Sequence, residues 1–353
     1  MKHYNACDAH KRYSLFGGVD EMGRRLKTVR VEHERIEYRS HLKTIKPGST
    51  IALETMGSWY WMVDEIEKAG HIPLLVHARK AKLMMGMINK TDAIDVGGLG
   101  VLSRNNTLPT VWIPPQEIRD LRELPRTRMN MVNIRTGLKN RIHATFDKYN
   151  IRIDEVTDIF GKSGRQIMAE RLNELPPETR RAVEDQLKLL DDTREQIAEE
   201  EARILKLVKA TPEMLLLKTL PGFGPILSVV AALEIGSVER FPGASHLASY
   251  AGTVARVSSS GGVTRMGGIR PDVNRFLRWA FIEAANCVVL NLRRNPSAHV
   301  SLLYKRIRER RGHGKAIVAV SRHLAEASYW VLTKKEPYRA PGSAVGHVLS
   351  NQG

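Results

Sequence analysis

The chain has 353 residues, of which 42% are hydrophobic and 26% charged, and a formal net charge of +17. These values are typical of a globular protein with two or three domains, and the positive charge predicts a polyanionic partner. No apolar run reaches the roughly 18 residues of a membrane span. The N-terminus has no apolar signal region, and the two cysteines have no metal-binding or disulfide spacing. We therefore expect a cytoplasmic protein with no membrane association.

The first part of the chain predicts an α/β domain, which we place at residues 1–155. Residues 4–33 predict three short strands with turns between them. A helix ("HERIEYRSHLKTI"), a strand ("STIALET"), a helix ("SWYWMVDEIEKAG") and a strand ("HIPLLVHA") follow. Helices between the later strands are typical of an α/β sheet. A further helix is expected over "KTDAID", and residues 115–150 predict basic helices.

Residues 156–210 predict a helical region with coiled-coil character. Val183, Leu190, Ile197 and Ile204 recur at seven-residue intervals, which is the spacing of a coiled-coil seam. Charged residues interrupt the companion seam. A long helical hairpin that packs within one chain therefore stays open as the alternative.

Residues 211–336 predict a mainly helical domain. The segment "PGFGP" precedes an apolar helical run, a pattern typical of a hairpin between two helices, whose exposed amides can hold a phosphate. A polar, flexible, basic loop, "ARVSSSGGVTRMGGIRPD", is predicted before the helix "VNRFLRWAFIEAANCVVLNLRR". Residues 337–353 contain several Pro, Gly and Ser residues and predict a disordered tail.

Positive charge is concentrated in the C-terminal half. Between Arg256 and Lys315 the sequence has 13 Lys or Arg and three Asp or Glu, a net charge of +10. Such a field attracts nucleic acid, because each neutralised phosphate releases counterions. The residues that we expect to contact nucleic-acid backbones are Arg256, Arg265, Arg270, Arg275, Arg278, Lys139 and Arg141.

Four carboxylates are candidates for a metal site. Asp8 lies in the first predicted strand, Glu54 ends a later strand, and Asp92 and Asp95 lie on the following helix. If the two strands are neighbours, these groups converge at one end of the sheet. Oxygen ligands suit Mg²⁺ or Mn²⁺ without histidine or cysteine, and two such ions can activate a nucleophile in phosphodiester chemistry. His10 is interpreted as a surface histidine, with a phosphate contact as the less common alternative.

The second candidate is the serine cluster 258–260, which is followed by two glycines. Serine–glycine runs are usually linkers, but Arg256, Arg265 and Arg270 flank this one. A hydroxyl that attacks a phosphate needs nearby positive charge and an activating base or metal. The arginines supply the charge, and no base is visible beside the serines.

These segments resemble one known family. The order Asp8, Glu54 and "KTDAID" resembles the catalytic tetrad of the DEDD insertion-sequence transposases, whose N-terminal domain is RuvC-like with an RNase H fold. The segments "LPGFGPILSVVAALEIGSVERF", "LASYAGTVARVSSSGG" and "RPDVNRFLRWAFIEAAN" resemble the C-terminal transposase domain of that family. The resemblance runs in the same order from about Tyr4 to Trp330.

The resemblance implies roles for individual residues. The four acids named above match the metal-binding tetrad. Ser260 matches the serine proposed to attack DNA and to hold a covalent phosphoserine intermediate, and Ser259 is the fallback if the alignment shifts by one residue. One departure is that Gly97 and Gly98 follow Asp95 where the family more often has helix formers. Because glycine costs about 1 kcal/mol in a helix interior, we expect this helix to be short or bent.

The resemblance also implies partners. These are the DNA of the element ends and the target, a structured non-coding guide RNA called a bridge or seeker RNA, and further copies of the chain in a dimer or tetramer joined through the coiled-coil region. A RuvC-like domain is expected to complete its site with the transposase domain of another subunit. The implied function is metal-dependent, RNA-guided DNA strand cleavage and exchange by a nucleoid-associated bacterial transposase.

Three other functions stay open at this level. A RuvC-like junction resolvase would use water as its nucleophile, and the serine loop would then only bind DNA. An architectural nucleic-acid-binding protein would carry a degenerate nuclease domain that does not bind Mg²⁺. A sugar-kinase-like ATPase shares the broad fold class, but no phosphate-binding glycine loop appears near the first strand.

Overall fold

The structure, a computed structural model, describes residues 2–86 and 91–341. The chain divides into two units, Met1–Ile113 and Pro114–Gly353. The first unit is mixed α/β, and the second is mainly helical. The first unit ends before the predicted domain boundary at residue 155, because the long helix that follows Pro115 packs on helices of the second unit. None of the helices in the described ranges is both long enough and apolar enough to span a membrane.

A five-stranded mixed sheet forms the centre of the first unit. Its strands are β1 (His3–Ala9), β2 (Tyr13–Asp20), β3 (Val29–Glu32), β4 (Thr50–Glu54) and β5 (Ile72–Val76). The order across the sheet is β3-β2-β1-β4-β5. The first three strands form an antiparallel meander, whereas β4 is parallel to both β1 and β5. The helices of this unit are α1 (Arg35–Thr44), α2 (Trp59–Lys68), α3 (Ala78–Met85) and α4 (Asp92–Arg104). The predicted order is confirmed as far as β5, and α3 is a further helix that was not predicted.

Each face of the sheet has its own core, because side chains alternate along a strand. Cys7 and Leu53 pack with residues of α1 and α2 on one face. Ala6 and Ala52 pack on the other face, where Leu99 of α4 is fully buried. The small alanines let α4 lie close to the central strands. The face covered by α4 is therefore the one that receives Asp8 and Glu54, two residues further along each strand.

Glycine also sets the distance between α4 and β2. A Cβ atom on Gly100 would lie 2.9 Å from the Cα of Gly18, so a larger residue does not fit there. The helix runs through Gly97 and Gly98 for 13 residues in all, so the expectation of a short helix is wrong, and a bend at these glycines stays a prediction. Packing on the sheet offsets the low helix propensity of glycine.

Two long helices pair in the second unit. They are α5 (Gln116–Lys148) and α7 (Pro177–Leu207), with the shorter α6 (Lys162–Arg171) between them. Phe146, near the end of α5, packs in the same cluster as Val183, and Ile118, near its start, packs with Ile204. The pair is therefore antiparallel. The predicted heptad seam is buried within the chain, as in the hairpin alternative, and coiled-coil contacts between subunits stay a prediction.

Six further helices form the C-terminal core. They are α8 (Pro212–Leu217), α9 (Pro225–Ile235), α10 (Ala244–Tyr250), α11 (Arg275–Leu290), α12 (His299–Arg311) and α13 (His313–Lys334). The "PGFGP" segment joins α8 to α9, which confirms the predicted helical hairpin. Gly222 in this turn has a φ of +81°, and a Cβ there would lie 2.1 Å from the carbonyl oxygen of Ala284 in α11. Only glycine allows this approach.

Two predicted irregular segments are ordered. The serine segment forms an antiparallel hairpin of β6 (Val257–Ser260) and β7 (Val263–Met266), so its prediction as a flexible loop is wrong. Gly261 and Gly262 have φ values of +57° and +78°, as a two-residue type I′ turn requires. The prediction of a disordered tail is also wrong for the first residues of the tail, because the Tyr338 N–H donates to Thr219 Oγ1 over 2.8 Å. Residues 342–353 of that tail lie outside the described residues.

Candidate active site

Two strand ends meet at the candidate metal centre. Asp8 is the last residue but one of β1, and Glu54 is the last residue of β4. These strands are parallel neighbours, and Cys7 pairs with Leu53, so the two acids that follow leave the sheet at the same level. The condition on which the predicted convergence depended is thus confirmed. Both carboxylates are half-buried.

The start of α4 adds two more acids. Thr91 caps this helix, and its hydroxyl accepts a hydrogen bond from the Ile94 N–H over 3.4 Å. Asp92 and Asp95 lie in the first turn, three residues apart on one face. The partial positive charge at a helix N-terminus stabilises carboxylates there, so it offsets part of their mutual repulsion even without a cation.

A histidine lies between two of the carboxylates. His10 follows β1, and its Nε2 is 3.3 Å from Oδ2 of Asp8 and 3.3 Å from Oδ2 of Asp92. The three donors lie within 4.8 Å of one another. Nε2 is buried, yet it makes no hydrogen bond in the described part of the chain. The His10 side chain is 31% exposed, so it lies at the surface as interpreted, but its Nε2 faces two of the predicted acids.

Aromatic stacking holds the His10 ring in this position. The ring of Tyr13 stacks on it with a centroid distance of 4.5 Å and an interplanar angle of 26°. The Arg30 guanidinium lies 3.8 Å from the centroid of the Tyr13 ring. The tight turn after β1 brings the two rings together, because the His10 N–H donates to the Tyr13 carbonyl over 2.9 Å. The ring is thus oriented by the fold itself.

Glu54 and Asp95 lie outside the group of three donors, as far as the described residues show. The structure brings Asp8 and Asp92 together with His10. It places Glu54 at the end of the adjoining strand and Asp95 in the same helical turn as Asp92. Two of the four predicted ligands, Asp8 and Asp92, therefore converge. Asp95 lies on the same helix as Asp92, and Glu54 lies on the strand next to the one that carries Asp8.

The converging donors fit a divalent cation. Neighbouring donors around an octahedral ion with bonds of about 2.1 Å are about 3 Å apart. The 3.3 Å separations of His10 Nε2 from both carboxylates are close to that value. Carboxylate oxygens suit Mg²⁺ and Mn²⁺, and an imidazole nitrogen suits first-row transition ions.

Cys7 takes no part in this group. It lies on the opposite face of the sheet, packed in the core beside α1 and α2. Its burial raises the pKa of the thiol to about 12, because the low-polarity surroundings disfavour the thiolate. A protonated, buried thiol is a poor metal ligand and a poor nucleophile.

The serines lie at the tip of the β6–β7 hairpin. Ser260 is exposed, ends β6 and pairs with Val263 across the turn. The Ser259 hydroxyl lies 3.4 Å from the Thr264 hydroxyl on β7. Because side chains alternate along a strand, Ser259 and Ser260 face opposite sides of the hairpin. Only one of them can therefore face a given ligand.

The predicted nucleic-acid contacts fall in two regions. Five of them lie between the base of the hairpin and the first turn of α11: Arg256, Arg265, Arg270 and Arg275 are exposed and Arg278 is half-buried. Lys139 and Arg141 lie on α5. The Lys139 ammonium lies 4.8 Å from the centroid of the Phe160 ring, and desolvation lowers its pKa.

A buried polar network anchors the start of α11. Glu234 of α9 is fully buried and accepts hydrogen bonds from Arg126 Nε over 2.8 Å and from Asn274 Nδ2 over 2.8 Å. Asn274 also caps α11, because its Oδ1 accepts from the Leu277 N–H over 2.9 Å. An Asn before a helical run is a capping signal that was visible in the sequence. The hydrogen bond from Asn274 to Glu234, a residue of another helix that is ion-paired with Arg126, was not visible in the sequence.

Comparisons with known families match both units of the chain. Residues 6–151 match the DEDD domain family of IS110 elements, which is described as "Transposase". Residues 214–301 match the family described as "Transposase IS116/IS110/IS902 family". The first range contains all four predicted acids, and the second contains Ser260.

Relatives match along most of the chain. It is 25% identical over 322 residues to the transposase for insertion sequence element IS1111A of Coxiella burnetii, covering 91% of this chain and 87% of that protein. It is 23% identical over 326 residues to a probable family 20 transposase of Pseudomonas aeruginosa, covering 88% and 94%. A pilin gene-inverting protein of Moraxella bovis is 25% identical over 303 residues, covering 82% and 81%. The chain therefore carries the transposase domains of both families and is a DNA transposase or recombinase.

Proposed function

We propose that this transposase moves its element by metal-dependent, RNA-guided cleavage and exchange of DNA strands. The observation that carries the proposal is the convergence of Asp8 and Asp92, which are far apart in the chain, at one end of the sheet. The strand order β3-β2-β1-β4-β5, with an antiparallel meander followed by parallel strands, supports an RNase H-like, RuvC-like assignment of the first unit.

The four acids have the role of holding Mg²⁺ or Mn²⁺ in this proposal. Asp8 and Asp92 supply the converging oxygens, Glu54 lies at the end of the adjoining strand, and Asp95 lies in the same helical turn as Asp92. A divalent ion bound there would neutralise the charge that develops on a reacting phosphate. The acids are kept half-buried at the surface of the sheet, where a DNA strand can reach them.

Ser260 is the proposed nucleophile. Its oxygen forms a bond to phosphorus, the DNA P–O ester bond breaks, and the proton lost by the hydroxyl ends on the released DNA oxygen. One phosphate ester bond replaces another. The phosphate can therefore be transferred later from the serine to a different DNA end without an external energy source. The exposed arginines of the hairpin, Arg256 and Arg265, supply positive charge beside the phosphate.

The other arginines and Lys139 hold nucleic-acid backbones in this proposal. The net charge of +10 between Arg256 and Lys315 supports a polyanion contact in the second unit. The guide RNA, and a dimer or tetramer in which subunits complete each other's sites, follow from the family resemblance. Both are part of the proposal.

The test uses the full-length protein with Mg²⁺, labelled element-end DNA and the non-coding RNA from the flank of the element. We expect a protein-linked DNA strand that Ser260→Ala abolishes and Ser259→Ala retains, because the two hydroxyls face opposite sides of the hairpin. Asp8→Asn should abolish cleavage whichever serine is the nucleophile. Cleavage by Ser260→Ala without a protein-linked strand would instead identify a water-using nuclease of the resolvase type. Unchanged function in Asp8→Asn would indicate an architectural protein.

A further inference from the structure

We infer that His10 is a nitrogen ligand of the metal centre and that it gives this centre a preference for Mn²⁺ over Mg²⁺. The inference rests on the proposed function in one respect, since it takes the group of Asp8, His10 and Asp92 as the metal centre. It adds a ligand of a different chemical class to the four acids.

The position of Nε2 is the first argument. It lies at the same distance, 3.3 Å, from one oxygen of Asp8 and one of Asp92. A nitrogen equidistant from two carboxylate oxygens, at nearly the separation of neighbouring donors in an octahedral shell, fits three ligands of one ion. The ligands come from a strand, the turn after it and the start of a helix, so they approach from different sides.

The unused hydrogen-bonding capacity of Nε2 is the second argument. Nε2 lies 3.3 Å from each carboxylate oxygen, which is longer than the roughly 2.7–2.9 Å of a charge-assisted hydrogen bond. Nε2 is buried but makes no hydrogen bond in the described ranges, despite its short distances to two carboxylates. The two carboxylates therefore lie near Nε2 without accepting a hydrogen bond from it. A metal ion between these three donors would bond to all of them.

The orientation of the ring is the third argument. Tyr13 stacks on His10, and the Arg30 guanidinium lies over the Tyr13 ring. These contacts restrict the imidazole plane, whereas a histidine without such contacts would sample several rotamers. A ligand that is held in place before the ion arrives loses less conformational entropy on binding.

The chemistry of imidazole then determines the metal preference. Mg²⁺ favours oxygen ligands and gives up its water molecules reluctantly. Mn²⁺ has the lowest affinity of the first-row transition ions for such sites, but as a transition ion it accepts an imidazole nitrogen more readily than Mg²⁺ does. His10 should therefore strengthen Mn²⁺ binding and leave Mg²⁺ binding, which depends on the aspartates, nearly unchanged.

The experiment measures Mn²⁺ binding to the full-length protein by electron paramagnetic resonance, with Mg²⁺ as the competitor and no nucleic acid. We expect His10→Ala to weaken Mn²⁺ binding by at least about tenfold, the lower end of what loss of even an outer-shell partner costs. Mg²⁺ binding should change by less than about twofold. His3→Ala is the matched control, because His3 is exposed on the same strand and lies outside the donor group.

A second readout does not depend on a substitution. Pulsed electron paramagnetic resonance of wild-type protein with bound Mn²⁺ should show nitrogen coupling that changes on ¹⁵N labelling of histidine. Equal Mn²⁺ affinity in wild type and His10→Ala, with no nitrogen coupling, would overturn the inference while leaving the proposed function intact. If Asp8→Asn binds both ions as well as wild type does, the proposed metal centre itself fails.

Discussion

Glu65 is the residue whose charge contributes most visibly to the stability of the first unit. Its side chain is 1% exposed and accepts hydrogen bonds from Arg39 and from Arg35, the latter over 2.9 Å. The hydrogen bonds from Arg39 hold the pKa of this carboxyl below its ordinary value. A buried carboxylate with two arginine partners joins α1 to α2.

The lowered pKa predicts how stability changes with pH. Because the folded form of Glu65 binds its proton less readily than the unfolded form, its contribution is fully present above the ordinary pKa of about 4.5 and is lost as the pH falls through the lowered pKa. Glu65→Gln should reduce the free energy of unfolding by about 1–2 kcal/mol at pH 7 and by much less at pH 3. Urea unfolding at both pH values measures this.

Glu67→Gln is the control, since Glu67 lies on the same helix but is exposed. It should change the free energy of unfolding by less than about 0.5 kcal/mol at either pH. An equal loss in the two variants, or a Glu65→Gln loss that does not depend on pH, would contradict this account of Glu65.

The site residues differ in how far the sequence could predict them. Asp8 and Asp92 were predictable, because both belong to the acidic pattern that resembles the family tetrad. The helix that carries Asp92, α4, covers the face of the sheet that receives Asp8. His10 was not predictable, because a histidine two residues after a strand aspartate has no distinguishing pattern. Its role depends on the turn that stacks it on Tyr13, and that turn has no glycine or proline to mark it.

At the scale of elements, the closeness of α4 to the sheet depends on individual glycines. A Cβ at Gly100 would lie 2.9 Å from backbone atoms of Gly18 and Val19, which cannot move independently of β2. A Cβ at Gly97 would meet only the Arg25 side chain, at 3.4 Å from its Nε. Arginine is flexible and can move away.

These two positions predict opposite results for the same substitution. Gly100→Ala should lower the free energy of unfolding by about 1–3 kcal/mol, because overpacking outweighs the gain in helix propensity. Gly97→Ala should be neutral or raise it by up to about 1 kcal/mol. Denaturant unfolding of both variants measures the difference, and a Gly100→Ala variant as stable as Gly97→Ala would show that α4 does not pack this closely.

Periodicity predicted the regular elements well, and its misses have physical reasons. The glycine pair at 261–262 is a two-residue hairpin signal, but the serine content favoured a linker. The heptad seam of α7 was visible, yet an apolar seam does not specify its partner, and here α5 of the same chain covers it. The glycines of α4 suggested a short helix, because helix propensity ignores what the helix packs against.

At the scale of the whole molecule, the two units carry different parts of the chemistry. The first unit holds the acids and His10, and the second holds Ser260 and most of the excess positive charge. The first family match, over residues 6–151, extends beyond the first unit into the long helix α5, and the second, over residues 214–301, lies within the second unit. The order of these parts along the chain could be predicted from the sequence by resemblance. The proposed guide RNA and subunit arrangement leave no such pattern, because their contacts would depend on other molecules.

The central claim is that acids distant in the chain gather around divalent ions at one edge of the sheet. Anomalous X-ray diffraction from crystals of the wild-type protein grown with Mn²⁺ tests it most directly. We predict an anomalous peak within bonding distance of both Asp8 and Asp92, and its loss in Asp8→Asn crystals. A wild-type structure with no peak there, or with the two carboxylates turned away from each other in the presence of Mn²⁺, would contradict the account.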